Sequence, residues 1–158
     1  MTITLRPVTP SDNDRLFEIY AGTRRDEVSA WGWDLAQQDA FLRMQFTAQQ
    51  RSLGMQYEHL SHDAIILDEE PIGRLLVNRP GDEIHLVDIA LLPAMQGRGI
   101  GTTLIRILLD EGDHVGLPVR LKVMQGNPAA LLYERLGFVK TGESDMHNHM
   151  ERRPFGVR

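Results

Sequence analysis

Between a strand-like apolar stretch ending at Pro93 and an amphipathic stretch from Gly101 onward stands Gln96-Gly97-Arg98-Gly99-Ile100-Gly101-Thr102. Three glycines remove side chains where backbone must approach a ligand. The first-turn N–H groups of a helix lack internal partners, and the helix dipole adds partial positive charge there. Together these features make a phosphate site. Two common glycine motifs fail on this segment. A dinucleotide fingerprint, G-x-G-x-x-G, would need its third glycine where Thr102 stands, and a P-loop needs a lysine that the segment lacks. His147 and His149 form an H-x-H pair, but with no third ligand in register a structural or substrate-lining role is the better reading, and no metal site is expected. Trp31-Gly32-Trp33 with Glu27 offers either an aromatic and acidic wall for an amine or ordinary packing.

These residues need elements to position them. Thr2 to Arg6 alternates as a short strand, and Thr9-Pro10 then reads as a helix start, with Leu16, Phe17, Ile19 and Tyr20 as its apolar face. A second helix is predicted from about Asp34 to Arg51. Strands follow at 63–67 and 72–78, joined by a turn at Glu69-Glu70-Pro71, and the short spacing argues an antiparallel hairpin. A long strand spans Glu83 to Leu92. A helix then runs from Gly97 to about Glu111, with Gly112 and Gly116 at its exit. Val119 to Met124 is a strand, and Asn127-Pro128 opens a helix that runs to Leu136 and ends at Gly137. Two strands, 138–143 and 146–151, close the chain. The order β-α-α-β-β-β-α-β-α-β-β makes a mixed α/β fold, antiparallel first and with a strand-helix-strand crossover later.

Composition narrows the classes. The chain has 158 residues, 42% of them hydrophobic and 25% charged, as in a soluble globular protein, and with no repeat or linker it reads as a single domain, 1–158. There is no cysteine, which removes disulfides, thiolate metal sites and cysteine nucleophiles, and fits a cytoplasmic location. The N-terminus lacks the pattern of a signal peptide. Its longest uncharged apolar run, Ile89 to Met95, is far short of the roughly 20 residues of a membrane helix, so no membrane partner is expected. A net charge of −5 disfavours nucleic acid and suits a cationic or amine ligand.

The glycine segment resembles the Q/R-x-x-G-x-G/A loop of the Gcn5-related N-acetyltransferases, the GNAT family, with Gln96, Gly99 and Gly101 in its three defined places. Asp88-Ile89-Ala90-Leu91-Leu92-Pro93 is similar to that family's coenzyme-binding strand and its exit proline. Asn127 to Phe138, which contains Leu132-Tyr133-Glu134-Arg135-Leu136-Gly137-Phe138, is similar to its later N-x-x-x-x-L-Y-E-x-L-G-F signature. The element order corresponds to the GNAT fold along nearly the whole chain: a mixed central sheet flanked by helices, with the β-α-β crossover at the coenzyme site.

The resemblance implies acetyl-CoA as co-substrate and a primary amine as acceptor, carried by a small molecule or by a peptide. It implies that the backbone of Gly97, Arg98, Gly99, Ile100, Gly101 and Thr102 holds the pyrophosphate. Arg98 either adds charge there or is a solvated surface residue. Ile89, Ala90 and Leu91 would pair with the pantetheine arm, the Leu91 N–H stabilising the oxyanion. Asn127 would contact the coenzyme, cap its helix, or both. Tyr133 occupies the general-acid position, with a core tyrosine as its other reading. His85 stands where some members place an acid for deprotonating the amine, and a histidine can accept that proton near neutral pH; a partly exposed strand histidine is its other reading. By strand alternation Asp88 points to the opposite face from His85. Lys122 stands where another branch carries an acid. A non-catalytic acyl-CoA-binding module and a transferase acting on a protein N-terminus or lysine are the rival functions. The last strands offer edges for a homodimer.

Overall fold

The computed structural model describes residues 2–155. Its strands are β1 (Ile3–Pro7), β2 (Leu60–Leu67), β3 (Glu70–Asn78), β4 (Ile84–Leu91), β5 (Val119–Met124), β6 (Val139–Ser144) and β7 (His147–Arg152). Its α-helices are α1 (Asn13–Ser29), α2 (Leu35–Gln56), α3 (Ile100–Val115) and α4 (Ala129–Arg135). The strands form one mixed seven-stranded sheet in the order β1-β2-β3-β4-β5-β7-β6. β4 and β5 run parallel, while β1–β2, β5–β7 and β6–β7 run antiparallel. This is the expected α/β class and element order. Because β7 lies inside the sheet, only β6 of the last two strands is an edge.

The chain packs as two compact units. One comprises the stretch up to Leu76 with Asp88–Ile100, the other Val77–Val87 with the stretch from Gly101 onward. In the first unit, α1 starts at Asn13, later than the expected Pro10, because Pro10 opens a separate single 3-10 turn in which the Asp12 carboxylate accepts the Thr9 N–H at 2.7 Å. Arg6 grips the same carboxylate through two hydrogen bonds of 2.9 Å, which hold it far below the usual carboxylate range. Asp34 caps α2 by accepting the Gln37 N–H at 2.8 Å. Leu16, Phe17, Ile19 and Tyr20 of α1 meet Leu42 and Phe46 of α2 in a core that includes Ala90, with the Phe17 and Phe46 rings edge-on at 5.9 Å. Each such side chain stabilises the fold by roughly 1.5–3 kcal/mol.

In the second unit, Leu104, Ile105, Leu108 and Leu109 form the buried stripe of α3, and Val119, Leu121, Val123 and Met150 are buried on β5 and β7. Gly112 is a correction to the expected helix exit. It lies inside α3, where an added Cβ would sit 2.8 Å from the Leu117 carbonyl and 3.2 Å from Val119, so it permits close approach of helix and strand. The exit residue is Gly116, at φ +74°. The first hairpin also differs from expectation. Its loop is Asp68-Glu69, both at positive φ, and Glu70 and Pro71 already belong to β3. Two-residue hairpin loops require that backbone twist, and the β6–β7 loop, Asp145-Met146, repeats it.

Candidate active site

The glycine segment is built from β4 forward. After Leu91 a 3-10 turn, Pro93–Met95, redirects the chain, and Gln96 donates its side-chain N–H to the Leu91 carbonyl at 3.2 Å. Gly97 and Gly99 take φ +75° and +80°, conformations that side chains other than glycine rarely adopt. The segment from Gly97 to Gly99 is therefore loop, and α3 starts at Ile100 rather than at Gly97. A Cβ placed on Gly97, Gly99 or Gly101 would meet no protein atom within 4 Å. Packing within the protein does not require glycine at Gly101, whose φ is not positive, and the same exposed strip of backbone leads into the N-terminus of a 16-residue helix. Two features a diphosphate needs are present: room for close approach of backbone and the positive end of a helix dipole. Arg98 is exposed.

The strand leading into this loop is tightly held. Gly73 on β3 lies against it: an added Cβ there would sit 2.4 Å from the Ala90 carbonyl and 2.7 Å from the Leu91 side chain. Arg74, only 2% exposed, donates to the Asp88 carboxylate at 3.1 and 3.0 Å and to Gln49 at 2.9 Å. Asp88 is thus committed to an ion pair. Gly73 and Arg74 were not singled out from the sequence, although a glycine inside a strand-like run is itself a signal of close backbone approach. Also in the first unit, a cleft of about 770 Å³ lies between α1 and α2. Glu18, Asp26, Asp39 and Arg43 line it, and it reaches Pro93 and Gln96.

In the second unit, His85 shares a cavity of about 250 Å³ with Glu83, Arg120, Lys122, Thr141 and His149. Burial pushes the His85 imidazole below the ordinary histidine value; Glu83 opposes this, and Lys122 and His149 add to it. The neutral, proton-accepting form therefore prevails at neutral pH. Tyr133 is half-buried on α4 and meets Phe138 edge-on at 5.8 Å. Asn127 accepts the Ala129 N–H at 2.9 Å, the capping duty expected of it, which leaves its amide nitrogen as the group to offer a ligand. His147 donates from Nδ1 to the Asp145 carbonyl, and His149 bonds the Ser144 hydroxyl, so both serve the β6–β7 hairpin. Among the described residues no group of three or more His, Cys, Asp or Glu side chains could hold a metal, and no helix is long and apolar enough to cross a membrane.

Trp31-Gly32-Trp33 and Glu27 show the packing that is the other reading of them, with both tryptophans still partly exposed. Trp31, Trp33 and Phe41 pack edge-on against one another at 5.2–5.5 Å, and Glu27 is bonded by Arg24.

Comparison with known proteins gives the same fold. The chain superimposes on the PaiA N-acetyltransferase of Thermoplasma acidophilum in complex with coenzyme A, with a TM-score of 0.70 and 18% identity over 97% of this chain and 99% of that one. It also superimposes on the ribosomal-protein-S18-alanine N-acetyltransferase of Escherichia coli, with a TM-score of 0.64 and 20% identity over 96% and 94%. In sequence it is 29% identical to the ribosomal protein bS18 alanine N-acetyltransferase of Haemophilus influenzae over 127 residues, 80% of this chain and 83% of that one. The model of the acetyltransferase (GNAT) family matches residues 14–138, and with its glycine loop and element order in place the chain belongs to that family.

Proposed function

We propose that this GNAT acetyltransferase moves an acetyl group from acetyl-CoA to a primary amine by direct attack in a ternary complex. The observation that carries the reading is the Gly97–Gly101 strip, whose lack of side chains, with positive φ at Gly97 and Gly99, leaves room for a diphosphate. A coenzyme-A complex among the structural neighbours supports the choice of donor. The relatives named for a ribosomal-protein alanine support a peptide amine as one kind of acceptor.

Acetyl-CoA supplies a thioester whose carbonyl carbon is open to attack. The backbone of Gly97–Thr102 binds its pyrophosphate, with Arg98 beside it, and Asn127 contributes its amide nitrogen. Ile89, Ala90 and Leu91 pair with the pantetheine arm, and the Leu91 N–H faces the developing oxyanion. His85 takes the proton that the amine must lose, since an alkyl amine with a pKa of about 10.4 is otherwise cationic and not nucleophilic. The N–C bond forms, the C–S bond breaks, Tyr133 donates its phenolic proton to the departing sulfur, and the second proton, shed by the acylated nitrogen, returns Tyr133 to its phenol. No covalent enzyme intermediate is needed, and the chain has no cysteine to form one.

Calorimetric titration with acetyl-CoA, with NAD as control, tests the binding half. Saturable binding of acetyl-CoA alone is expected, and none at millimolar coenzyme overturns the reading. Tyr133→Phe tests the chemical half. It should lower kcat by about 10²-fold with little change in acetyl-CoA affinity; unchanged kcat removes Tyr133 as the acid.

A further inference from the structure

We infer that the acceptor carries a carboxylate close to its amine, and that Lys122 selects for it. The inference rests on the acetyl-transfer reading and concerns the acceptor end of that site. Register places the residues. Across the sheet His85 stands opposite Arg120, and Arg120 opposite Glu151; two residues along β5, Lys122 stands opposite His149. Strand alternation puts Arg120 and Lys122 on one face, while Leu121 and Val123 between and beyond them are buried on the other. From strand spacing, the Lys122 and His85 Cα atoms are about 8 Å apart.

The charges in this cavity do not cancel. Arg120 donates to Glu83 at 2.7 Å and to Glu151 at 2.9 Å, and Arg153 also bonds Glu151 at 3.1 Å. Both acids are thereby taken up by arginines. Lys122 has no ion-pair partner among the described residues, and the imidazole of His85 stays neutral beside it. An amine seated at His85 therefore has two charged neighbours, the Glu83 carboxylate, already bonded by Arg120, and the Lys122 ammonium, which is left to meet a group of the acceptor. An acceptor with a second ammonium group meets repulsion there, whereas one with a carboxylate meets a partner. The overall charge of −5 suggests a cationic ligand, but Lys122 places at this cavity a cation with no ion-pair partner among the described residues. A cavity of about 250 Å³ admits a group the size of an amino acid. The carboxylate can come from a free amino acid or from an acidic side chain beside a peptide's terminal amine.

The test is the rate of CoA release with paired acceptors: alanine against alaninamide, the amidated dipeptide Ala-Asp against Ala-Asn, and 1,4-diaminobutane. The carboxylate member of at least one pair should show a kcat/KM about tenfold higher. A preference within the first pair alone identifies a free amino acid, and within the second a peptide. Lys122→Met should bring that ratio close to one, and Lys122→Arg should restore it, with acetyl-CoA binding measured on each variant to show that the fold is kept. Equal rates within both pairs, a preference that survives Lys122→Met, or diaminobutane as the best acceptor overturns the inference. So does a protein that binds acetyl-CoA and acetylates no carboxylate-bearing amine, and that outcome leaves the transferase reading standing. A protein that binds no acetyl-CoA fails at the transferase reading itself and takes the inference with it.

Discussion

His85 sits half-buried on β4, its Nδ1 3.9 Å from a Glu83 carboxylate that is already held by Arg120. Glu83 alone would favour the imidazolium, but burial outweighs it and the net shift is downward. The sign of the pH dependence follows. A base must be neutral to act, so kcat/KM should fall on the acid side, with its midpoint below the ordinary histidine value of about 6.5. His85→Gln should remove that acid limb and lower kcat/KM by about 10²-fold. A pH-rate profile at saturating acetyl-CoA reads both, and an acid limb that persists in the variant excludes His85 as the base. Asp88 does not compete for this role, since Arg74 fixes its carboxylate. The readings of Gln96, Gly97, Gly99 and Asn127 needed only their neighbours in sequence. That Glu83 is taken up by Arg120, 37 residues away, could not be read that way.

At the level of elements, β4 must present straight, correctly placed backbone to any chain that pairs with it. Gly73 makes this possible: with 2.4 Å between a would-be Cβ and the Ala90 carbonyl, no side chain fits and the obstacle is backbone that cannot turn aside. Gly73→Ala should therefore push β3 and the Ala90-Leu91 segment apart. Urea unfolding should show a loss of about 1–3 kcal/mol, and acetyl-CoA should bind more weakly to the variant that remains folded. Undiminished affinity would mean that Ala90 and Leu91 do not pair with the coenzyme. The same logic accounts for the two corrected elements. Gly112 looked like a stop signal because a glycine near a helix end commonly is one, but a strand approaching the helix gave it another purpose. The hairpin loop moved to Asp68-Glu69 because closing it in register demanded positive φ at both residues, against their own preference.

For the molecule as a whole, the pH dependence of stability should carry the mark of His62. Its Nε2 is buried without a hydrogen-bond partner among the described residues, and burial, aided by Arg74 and opposed by Asp12, pushes its imidazole down to about 4. The unfolded chain, with a histidine near 6.5, binds this proton more readily than the folded one. The neutral His62 thus contributes stability above pH 6.5 that is lost as the pH falls toward about 4. Across that window the urea midpoint of the natural protein should drop more steeply than that of His62→Gln, by up to about 1.4 kcal/mol per pH unit. Parallel curves would show that His62 keeps its ordinary affinity for protons.

What the amino-acid sequence determined by itself was local. The Gln96–Thr102 spacing, the Leu132–Phe138 run, the caps at Asp34 and Asn127 and the alternation of strand residues are all interactions between near neighbours, and they sufficed for the family, the class and the order of elements. Tertiary structure decided which partners meet. The Arg74–Asp88 pair, the Arg120 bridge between Glu83 and Glu151 and the close passage of Gly73 under Ala90 join residues 14 or more positions apart. Such meetings depend on strand register, and register follows from the collective burial of every apolar face at once rather than from any residue's own preference.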